Sequence, residues 1–282
     1  MAEHRGIVNC APTELILTAR AGTPLAEIES ALAEQGQMLA FEPPRFGGDG
    51  SLGGAVAAGI AGPRRPFAGA VRDMVLGIRL VNGRGEVMHF GGEVMKNVAG
   101  YDVSRLNTGA LGTLGVLLEV TIEVLPRPER RRACACPWPP LSCARHRRQW
   151  LRRGVPISAA IHDGEATVIR LSGTHSAVAQ GHDMLAGEDV ADSDGFWAEW
   201  RDQRHPFFTR DDTPLWRIAL PPGRDPGELP GTAATDWAGQ QLWLKSDAPA
   251  ARIRDLATAC GGHAAIFTGG DRQVRCSPSP LR

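Results

Sequence analysis

The sequence predicts an α+β protein of two domains. Three observations carry that expectation. Helix-period and strand-period segments alternate in both halves of the chain, and the cleanest strand pattern is the half-buried kind. A stretch from Pro126 to Pro156, rich in Arg, Pro and Cys and without sustained periodicity, separates the halves. A length of 282 residues is enough for about two domains with cores of their own.

Glu14–Arg20 (ELILTAR) reads as a short strand. Thr23-Pro24 then reads as a helix start, with Thr as N-cap, Pro at the first helical position and Glu27 in the first turn. Leu25, Ile28 and Leu32 follow helical spacing, and Gly36 is placed to end the helix. Val75–Val81 and Glu86–Phe90 flank Asn82-Gly83-Arg84-Gly85, the composition of a hairpin turn. In the strand Val116–Val124, Val116, Leu118, Val120, Ile122 and Val124 form the core face, with Leu117, Glu119, Thr121 and Glu123 on the wetter one.

The second half reads as strands at Ile157–Ile161, Thr167–Leu171, Leu215–Leu220, Gln241–Lys245 and His263–Phe267. Helices are expected at Ser176–Leu185, Gly195–Gln203 and Ala250–Ala259. Trp197, Trp200, Trp216, Trp237 and Trp243 fall here and read as core. The expected boundaries are 1–126, a linker at 127–156, a smaller α+β cap-like domain at 157–270 and a tail at 271–282, where Ser-Pro-Ser-Pro cannot continue a strand or helix.

Lys+Arg and Asp+Glu balance at 31 each, so charge gives no case for nucleic acid or an anionic membrane. The arginines at 127–132 and 145–153 read as a solvated linker face. The start, MAEHRGIVNC, has no apolar run of signal-peptide type, and no segment approaches the roughly 18 apolar residues of a membrane span. Cys10, Cys134, Cys136, Cys143, Cys260 and Cys276 are scattered, as cytosolic thiols are. Cys134, Cys136 and Cys143 lack the paired spacing of a zinc site, and no metal is expected. His175 and His182 read as a solvent-exposed pair.

The segment GGDGSLGGAVAAGIAG, residues 47–62, holds seven glycines in sixteen residues. Gly48-x-Gly50-x-x-Gly53 matches a dinucleotide fingerprint, but Pro43-Pro44 stand where a buried strand should lead in, and Gly59, Gly62 and Pro63 cut the helix that should follow. Without Gly-Lys-Ser/Thr there is no Walker loop. Glycine lets main-chain N–H groups approach a ligand unshielded, so such a run can cradle a pyrophosphate. It can equally be a tight glycine-packed loop with no ligand, and composition alone leaves both open.

A second cluster follows: KNVAGYDVSRL at 96–106, then Gly109-Ala110-Leu111-Gly112-Thr113-Leu114-Gly115-Val116 entering a strand. With SLGG and Arg72-Asp73, this resembles the FAD-binding domains of the vanillyl-alcohol-oxidase (PCMH) type. EPPRFGGDGSLGG, AGPRRP, FGGEVMKNVAGYD and LPRP, then HPFF, LWRIALP, WLKS and GGHA, narrow the resemblance to the FAD-binding E subunits of bacterial glycolate oxidases, over nearly the whole chain.

That resemblance implies FAD as cofactor. By position, Pro44, Ser51, Leu52, Gly53 and Gly54 would line its pyrophosphate, Ala58, Gly59 and Gly62 would approach the flavin, and Gly112, Gly115 and Val116 the adenosine end. It implies oxidation of glycolate or another small 2-hydroxy acid in a complex with a sister flavin subunit and an iron–sulfur subunit. It also implies a cytoplasmic setting, with any membrane association made through the complex. Departures accompany it: Gly59-Ile60-Ala61-Gly62 where relatives carry N-A-G-G, Ala68 for a tyrosine, Leu111 for a glutamate, and neither Asn nor His after Gly269-Gly270-Asp271. No residue reads as a general base, and Lys96, Tyr101 and Arg72 are the polar residues nearest the inferred flavin. The segments that relatives carry before the Glu14 strand, including a first glycine loop, and after the last strand are not in this sequence. If Met1 is the true start, half of the cradle is expected to be lost, at about 1.5–3 kcal/mol per charge-assisted hydrogen bond; the alternative is that the sequence is truncated. The competing expectation is a non-catalytic, cofactor-free scaffold subunit of the same complex.

Overall fold

The computed structural model describes residues 2–48, 50–92, 100–139, 146 and 149–270. Lys96, Cys143 and the expected tail at 271–282 lie outside the described residues. The chain divides into two units, Met1–Pro128 with Trp200–Gln203, and Glu129–Glu199 with Arg204–Arg282.

In the first unit, β1 (Ile7–Ala11), β2 (Ile16–Arg20), β4 (Val75–Val81), β5 (Val87–Gly91) and β6 (Val116–Glu123) form an antiparallel sheet ordered β1-β2-β6-β4-β5. β3 (Gln37–Met38) and β7 (Leu125–Pro126) pair separately. α1 (Leu25–Glu34) buries the predicted stripe of Leu25, Ile28 and Leu32, and α2 (Leu52–Ala58) adds Leu52 and Val56. These pack with Leu17, Ala19, Phe41, Ile78, Val120 and Ile122 into one core. Short helices α3 (Arg65–Ala68), α4 (Val71–Met74) and α5 (Val103–Asn107) fill the connections.

Two local expectations are corrected. Pro24, not Thr23, occupies the N-cap of α1. The Thr23 hydroxyl instead donates to the Arg20 carbonyl at 2.7 Å and accepts from the Gly6 N–H at 2.9 Å, tying the β2 exit to the N-terminal segment. In β6 the core parity switches: Leu117 is buried and Val116 is 50% exposed. The cause is a bulge, since Arg79 pairs with Glu119 but Leu80 with Leu117, and one extra residue turns the strand over.

The second unit is an antiparallel eight-stranded sheet ordered β11-β8-β10-β9-β13-β14-β12-β15. Its strands are β8 (Arg130–Cys136), β9 (Ile157–His162), β10 (Thr167–Gly173), β11 (Glu188–Asp189), β12 (Leu215–Ala219), β13 (Thr232–Asp236), β14 (Gln241–Lys245) and β15 (His263–Thr268), with helices α6 (His175–Leu185), α7 (Ser193–Arg201), α8 (Pro206–Thr209) and α9 (Ala250–Ala259). β8 falls within the stretch read as a linker. Its Arg-rich start misled, because Arg132 is anchored by two 2.6 Å hydrogen bonds to Asp189 while Ala133, Cys134 and Cys136 further along the strand are buried. The five tryptophans read as core are all buried. His182 is not the solvent-exposed residue expected: its side chain is 15% exposed, with Nε2 3.2 Å from Asp189.

Candidate functional site

The glycine segment folds as loop, then helix. Pro44, Arg45, Phe46, Gly50, Ser51, Gly54 and Ala58 help to line a cleft of ≈ 160 Å³ at the start of α2. Whole small-molecule pockets run to about 300–1,000 Å³, so this is room for part of a nucleotide.

The amides divide into two sets. Leu52 and Gly53 donate to Thr23 and Ala21 carbonyls at 3.0 and 2.8 Å, and Gly54 donates to the Ser51 hydroxyl at 3.2 Å, so Ser51 is a true N-cap. The Leu52 and Gly53 N–H groups hold α2 to the segment that leaves β2, and the Gly54 N–H is satisfied within the first turn. The N–H groups of Gly47, Gly50 and Ser51 have no partner among the described residues. The cradle open to a ligand is therefore shifted toward the loop and Ser51, away from the Leu52, Gly53 and Gly54 amides.

Close approach explains most of the remaining predicted glycines. A Cβ on Gly53 would sit 2.9 Å from the Ala21 oxygen and 3.0 Å from its Cα. One on Gly115 would meet the Val81 oxygen at 2.7 Å, and one on Gly62 would strike the Glu42 oxygen. Gly59 ends α2 with φ 63, and its Cβ would lie 2.9 Å from the Gly109 Cα. Only a glycine meets both demands there. At Gly112 a Cβ would meet nothing within 4 Å, although φ is +75.

The second predicted cluster meets the first through α2. Gly109 donates to the Val56 carbonyl and Leu111 to the Ala57 carbonyl, both at 2.9 Å. The loop that runs on to Gly112, Gly115 and Val116 thus rests on the last turn of the helix whose first turn borders the cleft. Seven residues at about 1.5 Å each separate the two ends. Leu111 and Leu114 on this loop are 74% and 47% exposed. Tyr101 is 75% exposed and Arg72 is exposed, while Lys96 lies outside the described residues.

Sequence reasoning missed Arg45, Phe46 and Gly50. Arg45 stands directly between Pro43-Pro44 and the glycine run, and that position was the available signal. The family described as FAD binding domain matches residues 1–91. Over 278 residues, 99% of this chain and 79% of the relative, the sequence is 47% identical to glycolate oxidase subunit GlcE of Escherichia coli strain K12. The chain belongs to the GlcE family.

Other likenesses to this GlcE-family chain are shorter or more distant. Glycolate oxidase subunit GlcD of Bacillus subtilis strain 168 is 37% identical over 82 residues, covering 29% of this chain and 17% of the relative. A solved structure of alkyldihydroxyacetonephosphate synthase aligns with a TM-score of 0.67 at 16% identity, covering 93% of this chain and 62% of that one. That similarity speaks for the fold alone, and it agrees with the α+β, PCMH-type architecture. The residues present suit part of an FAD: unshielded amides, no side chain at Gly50 or Gly54, and an arginine at the rim. Among the described residues no helix is long and apolar enough to cross a membrane.

Proposed function

We propose that this chain is the FAD-binding subunit of a glycolate oxidase. The observation that carries the reading is the identity to GlcE over nearly the whole chain, with a cleft bordered by open amides where that reading needs one. The diphosphate of FAD would lie at Gly47, Gly50 and Ser51 beside Pro44 and Gly54. Ala58, Gly59 and Gly62 would border the flavin side, and Gly112, Gly115 and Val116 the adenosine end. Main-chain N–H groups fixed by a folded loop favour an anion without reorganising.

The reaction converts glycolate, or another short 2-hydroxy acid, into the 2-oxo acid: the hydroxyl loses its proton and the carbinol carbon loses a hydride. Bound FAD supplies the hydride acceptor. On this reading a sister flavin subunit carries the general base, and this chain holds its cofactor within the complex. Electrons leave to an iron–sulfur subunit, and the complex is cytoplasmic.

The full chain, purified alone, is expected to carry a flavin absorbance band and to reconstitute glycolate-dependent dye reduction when mixed with the other subunits. A colourless, folded chain that restores activity equally well would make it a cofactor-free scaffold. A chain that restores nothing would remove the glycolate oxidase reading.

A further inference from the structure

The α2 cleft contains one feature that its glycines do not explain. Of the residues lining it, only Arg45 has a charged side chain. Two other lining residues, Gly50 and Ser51, offer main-chain N–H groups with no partner among the described residues. Among the described residues its wall holds free donors and one guanidinium and no carboxylate, which suits an anion.

Arg45 is also held in an unfinished arrangement. Its main-chain N–H donates to Asp202 at 2.9 Å and its Nη2 is ion-paired with Glu29, while its Nε is buried without a hydrogen-bond partner. Glu29 is shared: Arg201 Nη1 stands 3.9 Å from its other oxygen, and Arg201 is itself paired with Asp202 at 3.0 Å. The acid thus fixes the direction of Arg45 without spending its whole charge on it. A buried N–H with no acceptor calls for an explanation, and a phosphate oxygen entering the cleft would supply the missing acceptor.

We propose that Arg45 is the cation that pairs with the diphosphate of the dinucleotide, with Glu29 as its positioning residue. The proposal rests on the FAD reading above and adds the chain's own source of positive charge, which no lysine near the glycine run provides. Arginine suits the task because its planar fork can meet two phosphate oxygens at once.

The test is binding of FAD and of riboflavin, which has no phosphate, to the full-length chain, followed by quenching of flavin fluorescence. Arg45→Gln is expected to weaken FAD about tenfold or more and to leave riboflavin unchanged, whereas Arg45→Lys keeps most of the FAD affinity. Glu29→Gln is expected to weaken FAD by a smaller factor. Wild-type FAD binding should fall as salt rises, and Arg45→Gln should flatten that dependence. Equal FAD affinity in wild type and Arg45→Gln would overturn the proposal and leave the FAD reading standing, as would equal losses for FAD and riboflavin. If Arg45→Gln does not fold, salt decides: salt-independent FAD binding by the wild type overturns the proposal. A wild type that binds no FAD removes the reading and the proposal together.

Discussion

Substituting Gly53 by Ala tests whether α2 is seated on β2 as closely as described. The added methyl would lie 2.9 Å from the Ala21 oxygen and 3.0 Å from its Cα, and neither backbone atom can rotate away. Relief requires α2 to move, stretching the 2.8 Å hydrogen bond from Gly53 to Ala21. Overpacking costs about 1–3 kcal/mol and the weakened bond about 1 kcal/mol. Alanine's better helix propensity returns about 1 kcal/mol, so the net loss is about 1–3 kcal/mol. In urea, with a slope of about 1–3 kcal/mol per molar, the unfolding midpoint of this unit should fall by roughly 0.5–1.5 M. Far-UV circular dichroism is the right probe, since Trp200 is this unit's one tryptophan and the other six belong to the second unit. Gly48→Ala is the control: its Cβ would find only the Arg45 oxygen, at 4.0 Å, and it should be neutral or stabilise by about 0.4–1 kcal/mol. An unchanged midpoint for Gly53→Ala, or an equal fall for Gly48→Ala, would refute the close seating.

Ser51→Ala removes the acceptor for the Gly54 N–H and should cost about 0.5–2 kcal/mol, read from the same urea transition, with Ser51→Asp restoring much of it. In the second unit, burial lowers the pKa of both His162 and His205, with Asp163 acting in the opposite direction. The unfolded chain therefore takes up protons first as pH falls below about 6.5. Stability is fullest above that pH and declines as pH drops toward the depressed folded values. Tryptophan fluorescence should show a lower urea midpoint at pH 5.5 than at pH 7.5, and His162→Gln should shrink the difference; a higher midpoint at pH 5.5 would contradict this.

Elements with strong local signals were legible in the sequence. The stripe on α1, the Asn82–Gly85 hairpin, α9 and β14 follow from periodicity and turn chemistry. β13 was not legible, because Thr232–Asp236 is a short run without an apolar alternation that earns its place by pairing with β14. β8 was hidden by its arginines, of which Arg132 is held by Asp189 on the neighbouring strand β11, a partner far away in sequence. The parity switch in β6 depends on a bulge set by pairing with β4, which no strand reveals alone. At the site, the two glycine clusters were visible and their convergence on one nucleotide was implied by resemblance, but their meeting through α2 was not. Which amides are engaged was not, since Thr23 and Ala21 become acceptors only after β2 and α2 pack. Arg45 was passed over because its meaning depends on the cleft it borders.

The central claim is that a dinucleotide's diphosphate rests on the loop amides before α2. Hydrogen–deuterium exchange of the full-length chain with and without saturating FAD addresses it directly. The account predicts slower exchange in peptides covering 46–51, where Gly47, Gly50 and Ser51 have no acceptor among the described residues, and in those covering 109–116. Slower exchange elsewhere, with 46–51 unaffected by bound FAD, would contradict it.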